Sequence, residues 1–331
     1  SSAASDVYKR QVKKDGFQVT VEAPELCPRY SAHYVYDVKI GESPLWMKRR
    51  LALVGMSSIS NIVDITNYVL KEIGQPMHAF DCSYLEGNAI CVRRAKEAEK
   101  IITLDEQEYE MTPDNLVICD GVKPVALAGV MGGLNSEIRD TTESVMFESA
   151  KFARDSVRKT ARSLGKSTDA SARYEKGVDE YSTVLGMKRA LHLIEELGCG
   201  KVSSTHVDIN TGNSIEPTEM KVSISKVNGV LGIEVPEAEI VRIMKNLDFD
   251  PSVQDDELTI HVPAYREDML PNGEGDVERY PDVAEEVIRM YGYDHIVPTF
   301  LSTAQVTMGG LNRKQKGELA LKKTLCAMGI N

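Results

Sequence analysis

At 331 residues, with 42% hydrophobic and 27% charged residues, the chain has the composition of a soluble globular protein of two or three domains. A formal net charge of −11 argues against indiscriminate nucleic-acid binding, and no apolar run is long enough to span a membrane. Residues 1–22 carry no secretory pattern, and the six cysteines are too scattered for a zinc or redox pair, so the expected compartment is the cytoplasm.

Residues 1–22 otherwise show no clear pattern and read as a leader or a remnant of a preceding domain. From Cys27 the signals sharpen. "YSAHYVYDVKI" alternates like a strand, and "SPLWMKRRLALVGM" reads as a helix opened by Ser43 with Pro44 at its first position. Ile59, Ile62, Val63, Val69, Leu70 and Ile73 then recur at three- and four-residue spacing, giving one apolar helical stripe. Gly74 is placed to close that helix in a left-handed conformation, and Pro76 keeps it from resuming.

"AICVRRA", "KIITLD", "NLVICDG", "PVALAGVMGG" and "SVMFESA" follow as strand-like runs, and two helices are predicted at about 153–164 and 179–197. Strands interleaved with helices predict an α+β fold for residues 23–210. After the polar "NTGNSIEPTE", residues 211–298 predict a strand, two short helices, a small hairpin and a longer helix, a winged-helix-like unit. Residues 299–331 read as a basic amphipathic helix that begins a further domain and is cut short.

Charge divides the same way. Residues 216–294 hold 19 acidic against 7 basic side chains, while the remainder is nearly neutral. A polyanion is therefore expected outside that stretch, and a DNA-binding role for the second unit conflicts with its charge.

Several residues admit two roles. Thr66 sits on the apolar stripe and His78 just past a rigid turn: one is a back-bonded hydroxyl and the other a core histidine, or both are polar groups set into a pocket. "AGVMGGLNSE" is neither a dinucleotide fingerprint nor a phosphate loop. Its glycines serve a tight turn, or let the backbone approach a ligand closely. Glu148 in "MFESA" is a surface acid or a pocket carboxylate accepting from a ligand hydroxyl, with Ala150 leaving room. Arg154, Arg158 and Arg162 share one helical face, solvated or bound to phosphates. Asp276, Asp282, Glu285 and Glu286 are helix-dipole acids or magnesium ligands.

Taken together and in this order, "SNIVDITNYVLKEIGQPMHAFD", "ALAGVMGG", "ESAKF", "TDASARYEKGVD" and "AEEVIRMYGYDHI" resemble the β subunit of bacterial phenylalanyl-tRNA synthetase, from about Cys27 to the C-terminus. The resemblance implies a B3/B4 tRNA-editing domain over 23–210, a B5 domain over 211–298 and the start of a catalytic-like core, an internal fragment of a longer subunit. It implies an enzyme of two α and two β subunits that joins phenylalanine to tRNA(Phe) using ATP and Mg²⁺, and that hydrolyses tRNA mischarged with tyrosine.

By the same resemblance, Thr66, Asn67 and His78 lie near the ester and attacking water, Gly129 and Glu148 hold the tyrosine hydroxyl, and Ala150 bounds the pocket. The magnesium ligands match Asp282, Glu285 and Glu286, with Asp276 preferred to Asp268 as the first. Implied partners are the α subunit and tRNA(Phe), with no membrane and no DNA. The competing expectation is a free-standing tRNA- or amino-acid-binding relative without catalysis.

Overall fold

The computed structural model describes residues 17–269, 279–298 and 309–330. Two sheets and a set of helices build the first unit in layers. Strand β1 (Gln18–Val21) runs parallel to β4 (Ala89–Arg94), with Val19 opposite Ile90. The segment expected to be patternless thus contributes an edge strand, and Phe17, Val19 and Val21 pack against the core. β4 continues through β7 (Leu116–Cys119) and β8 (Pro124–Leu127) to β9 (Met131–Gly132), completing a five-stranded sheet. β5 (Glu99–Ile102) and β6 (Glu108–Met111) form a separate hairpin.

The second sheet has the order β11 (Lys201–Asn210), β2 (Arg29–Tyr36), β10 (Val145–Lys151), β3 (Met77–Asp81). Side chains alternate across a strand, so β10 serves two cores at once. Val145 and Phe147 face helices α1 (Leu45–Leu53), α2 (Asn61–Ile73) and α5 (Glu180–Leu197), while Met146 and Ala150 face the five-stranded sheet. Ser149 confirms the register, its hydroxyl donating to the Thr183 carbonyl on α5 at 2.8 Å. Two further helices, α3 (Arg154–Ser163) and α4 (Asp169–Tyr174), follow β10 and seal the edge through Val157 and Tyr174.

Small differences from expectation have local causes. α1 begins at Leu45 because the Pro44 carbonyl already accepts from Met47 and Lys48; Pro44 is the cap and Ser43 makes no capping bond. Ile59 precedes α2 and is 72% exposed, its N–H held by the Asp64 carboxylate at 2.8 Å. Gly74 closes α2 as anticipated, at φ 91°, donating to the Leu70 carbonyl.

The second unit follows the predicted order: β12 (Thr218–Ser223), α6 (Ile224–Leu231), α7 (Glu237–Asn246), the hairpin β13 (Ser252–Gln254) and β14 (Glu257–Val262), then α8 (Tyr280–Tyr291). Its own core gathers Val227, Ile240, Phe249, Leu258, Ile260, Val283 and Val287. One contact with the first unit is a salt bridge: Lys151, at the end of β10, pairs with Glu180 at 3.1 Å and with Glu267. Helix α9 (Arg313–Ala327) is opened by an Asn312–Gln315 capping box and buries none of its residues among those described. Also among the described residues, no helix is long and apolar enough to cross a membrane.

Candidate functional site

The sequence "GQPMHAFD" resolves into a stop, a turn and a strand. α2 ends at Gly74, Gln75 and Pro76 turn the chain, and β3 enters the sheet beside β10. The antiparallel register then sets His78 directly opposite Glu148, and facing residues of paired strands project to one side. α2 brings Thr66 and Asn67 to the same place, and the 128–133 loop closes it from the five-stranded sheet. The result is a cavity of about 230 Å³ lined by Thr66, Asn67, His78, Gly129, Glu148 and Tyr174, with Leu70, Ala126, Leu127 and Met131 among its apolar walls.

Glu148 is 5% exposed. Burial pushes its carboxyl up to about 7, against the opposing pull of a 2.8 Å hydrogen bond donated by Tyr30 to its Oε2. Oε1 has no hydrogen-bond partner among the described residues, which leaves an acceptor for a ligand. Burial also drives the His78 imidazole down to about 4, so it is neutral at physiological pH. Its Nε2 is buried without a partner. Thr66 donates to the Val63 carbonyl at 2.7 Å, the back-bond expected of a core hydroxyl, yet the residue still lines the cavity. The Asn67 side chain makes no hydrogen bond among the described residues. At the mouth, Asp169 pairs with Lys71 at 3.2 Å.

One pocket residue is placed differently from expectation. Ala150 shares the face of Glu148 but does not line the cavity. It is fully buried, lies opposite Tyr30 in the β2–β10 register, and its carbonyl accepts from Tyr174 Oη at 2.9 Å and Gln75 Nε2 at 3.0 Å. The small side chain makes room for protein rather than ligand. Ala150→Trp, expected to fold normally if the residue bounded an open pocket, should instead lower thermal stability by about 1–3 kcal/mol through overpacking, which a melting curve checks.

Gly129 does line the cavity, but its φ of 69° and the atoms around it explain the glycine. An added Cβ would lie 2.9 Å from Val157, 3.0 Å from Tyr174 and 3.1 Å from Phe152. The closer approach is at Gly132, where a Cβ would meet His78 Cε1 at 2.3 Å and Nε2 at 2.7 Å. Sequence reasoning read Gly132 as a turn glycine of positive φ, which it is not, and missed Tyr30 and Tyr174. Only Gly132 carried a signal, as a glycine set between two apolar strand-like runs.

Arg154, Arg158 and Arg162 stand exposed along α3, whose other face packs Val157, Thr160 and Ala161 inward. None of the three forms a salt bridge among the described residues.

Among the described residues the expected magnesium ligands do not assemble. Asp276 lies outside the described residues. Asp282 is 3.5 Å from Arg279, and Glu285 is exposed. Glu286 accepts from Arg266 at 2.9 Å through one oxygen and from Arg289 through the other; burial pushes its carboxyl up, but the two guanidiniums outweigh it and hold it low. Asp268, the other candidate, pairs with Arg266 at 2.7 Å. Among the described residues no three His, Cys, Asp or Glu side chains converge on a metal-sized site. Among the described candidates, Asp268 and Glu286 are held by arginines and Asp282 lies beside one, so as they stand they offer no shared site for the ion.

A family model described as the B3/4 domain matches residues 26–199, and one described as the tRNA synthetase B5 domain matches residues 220–293. The phenylalanine--tRNA ligase beta subunits of Syntrophus aciditrophicus and Oceanobacillus iheyensis are each 41% identical to the chain, over 316 and 322 residues. Those matches take in 95% and 97% of this chain but 38% and 39% of the relatives, so the chain spans little more than a third of their length. The crystal structure of an N-terminal fragment of the phenylalanyl-tRNA synthetase beta-subunit from Pyrococcus horikoshii is similar at a TM-score of 0.41 and 13% identity, over 86% of this chain and 77% of that one. The cavity-bearing unit is thus a B3/4 domain with a B5 domain after it. The chain belongs to the family of phenylalanine--tRNA ligase β subunits.

Proposed function

We propose that residues 23–210 form an editing domain that hydrolyses tyrosyl-tRNA(Phe), as part of an enzyme of two α and two β subunits that attaches phenylalanine to tRNA(Phe) using ATP. The observation that carries this reading is a buried carboxylate with one open oxygen, opposite a neutral imidazole, in an otherwise apolar cavity. A phenol fits such a site and a phenyl ring does not, because phenylalanine leaves the acceptor unpaired. Discrimination against an analogue lacking the hydroxyl is then large, since the site was built around that hydrogen bond.

Thr66 and Asn67 on α2 and His78 on β3 border the ester in this reading. Water adds to the ester carbonyl and the bond to the ribose oxygen breaks, giving tyrosine and tRNA with a free hydroxyl. Neutral His78 accepts the water proton and returns it to the departing oxygen, and the Asn67 amide donates to the carbonyl oxygen as it gains charge. Glu148 stays out of the bond-breaking and holds the ring. Residues 211–298 form the B5 domain, proposed as winged-helix-like from its strand, two helices and hairpin, and residues 299–331 begin a catalytic-like core. ATP and Mg²⁺ belong to aminoacylation by the whole enzyme, the partner is its α subunit, and the compartment is the cytoplasm.

Tyrosyl-tRNA(Phe) incubated with the chain should release tyrosine, while phenylalanyl-tRNA(Phe) persists. Reversing Arg158 and Arg162 to Glu should weaken tRNA binding and flatten its salt dependence, because a protein that neutralises fewer phosphates releases fewer counterions on binding. Intact tyrosyl ester at saturating protein would end the editing assignment. An unaltered salt slope would leave α3 a solvated face.

A further inference from the structure

The editing reading requires one well-aimed acceptor oxygen, yet a carboxylate offers two and rotates about its terminal bond. What fixes Glu148 is on β2. Tyr30 is fully buried, stands opposite Ala150 in the strand register, and reaches diagonally to Glu148 Oε2 at 2.8 Å. Ala32 and Ala150, the small buried residues next to it across and along the strands, leave the space its ring needs.

We propose that Tyr30 is a positioning residue for hydroxyl recognition: its phenol occupies Oε2 of Glu148 and leaves Oε1 as the single acceptor, aimed into the cavity. The site thereby reads a tyrosine hydroxyl with an internal tyrosine hydroxyl as the template. Two phenols share one carboxylate, one supplied by the fold and one by the substrate. This inference rests on the editing reading of the same cavity.

The surroundings make Tyr30 the one polar anchor of that carboxylate among the described residues. Cys27, just before β2, hydrogen-bonds the Arg29 carbonyl through its sulfur, and Tyr174 donates to the Ala150 carbonyl, so neither is directed at Glu148. His78 faces it from β3 and is neutral. Asp169 across the cavity is paired with Lys71. Among the described residues no lysine or arginine bonds Glu148. Removing the Tyr30 hydroxyl therefore takes away the group that favours the charged carboxylate, against burial, which opposes it.

The test is Tyr30→Phe in the chain, with tyrosine release from tyrosyl-tRNA(Phe) measured across pH. Because the ionised carboxylate is the acceptor, activity falls as pH drops through the Glu148 titration, near 7 in the parent. In Tyr30→Phe that limb should move to higher pH, and KM should rise about tenfold, as loss of a hydrogen bond to a charged group allows, with kcat within about twofold. Incorporating 3-fluorotyrosine at position 30, whose more acidic phenol is the stronger donor, should move the limb the opposite way without disturbing the packing. An unmoved limb in both variants, with Glu148→Gln inactive and the parent active, would overturn the role of Tyr30 alone. A parent chain that releases no tyrosine would overturn the editing reading and this inference with it.

Discussion

Gly132→Ala should abolish tyrosine release and lower the melting temperature together. The Cβ it adds would lie 2.3 Å from Cε1 and 2.7 Å from Nε2 of His78, far inside van der Waals contact, and 3.2 Å from Leu104. The imidazole is blocked on one side by the Phe80 ring, which abuts it edge-on with centroids 4.5 Å apart, so it can give way only by shifting out of its place in the cavity wall. Nor can the glycine back away: β9 is hydrogen-bonded to β8 with Gly132 opposite Ala126, and the Gly132 carbonyl accepts from Leu104. Overpacking of this kind costs about 1–3 kcal/mol, and for a unit of this size that lowers Tm by several degrees. Gly41→Ala is the control, because nothing lies within 4 Å of its Cβ. Scanning calorimetry and the deacylation assay on both variants decide the matter, and a Gly132→Ala chain that edits at the parent rate would dismiss the His78 contact.

Glu148→Gln should change not only activity but the way stability depends on pH. In the folded chain Glu148 titrates near 7 and in the unfolded chain near 4.5, so its contribution is fully present below 4.5 and is lost as pH rises to about 7. The loss is of order 3 kcal/mol. His78 runs the other way. Its folded value near 4 lies below its unfolded 6.5, so its contribution is present above 6.5 and disappears as pH falls through 4. His33, also driven to about 4 by burial despite a 2.8 Å hydrogen bond with the Ser203 carbonyl, adds to the histidine side. Between pH 4.5 and 6.5 the carboxyl and the histidines oppose each other in the parent. Removing the carboxyl should leave the histidines unopposed, so that stability of Glu148→Gln climbs more steeply with pH. Urea midpoints at several pH values across this window measure it, and parallel curves for parent and variant would contradict a buried, proton-holding Glu148.

Much of the fold is legible in the sequence because local rules and tertiary packing agree. The α2 stripe, its Gly74 stop, the helix ending at Gly198 and the whole order of the second unit follow from periodicity and turn chemistry. β3 is not legible as a strand: five residues straight after a helix stop offer too short a window to show alternation, and its pairing with β10 is a long-range fact. β1 and β11 escape for a related reason. Both are edge strands of their sheets with half-exposed side chains, so burial writes no clean pattern into them. Thr66, His78 and Glu148 stand out by their incongruity, polar groups in apolar surroundings, and then through the family resemblance. Tyr30 does not, because a tyrosine in an alternating strand is ordinary until its hydroxyl is seen to meet Glu148. Ala150 misleads because facing the same way along a strand does not place a side chain in the same space. The acidic cluster shows a related limit, since spacing says nothing about the arginines that pair with Glu286.

The pairing of His78 with Glu148 has a bearing on how this site can change over time. Most binding sites vary by remodelling loops, which the core tolerates. Here the imidazole and the carboxylate sit at matched positions of two hydrogen-bonded strands, and the residues flanking Glu148 are Phe147, committed to the helical core, and Ser149, bonded to α5. Sliding β10 by one residue would bring a core phenylalanine or a helix-anchoring serine into the cavity and turn the recognising carboxylate into the other core. Selectivity and foldability are therefore inherited as one trait. A lineage that loses the first by shifting register loses the second at the same step, and change in selectivity is confined to substitutions that leave the strand ladder as it is.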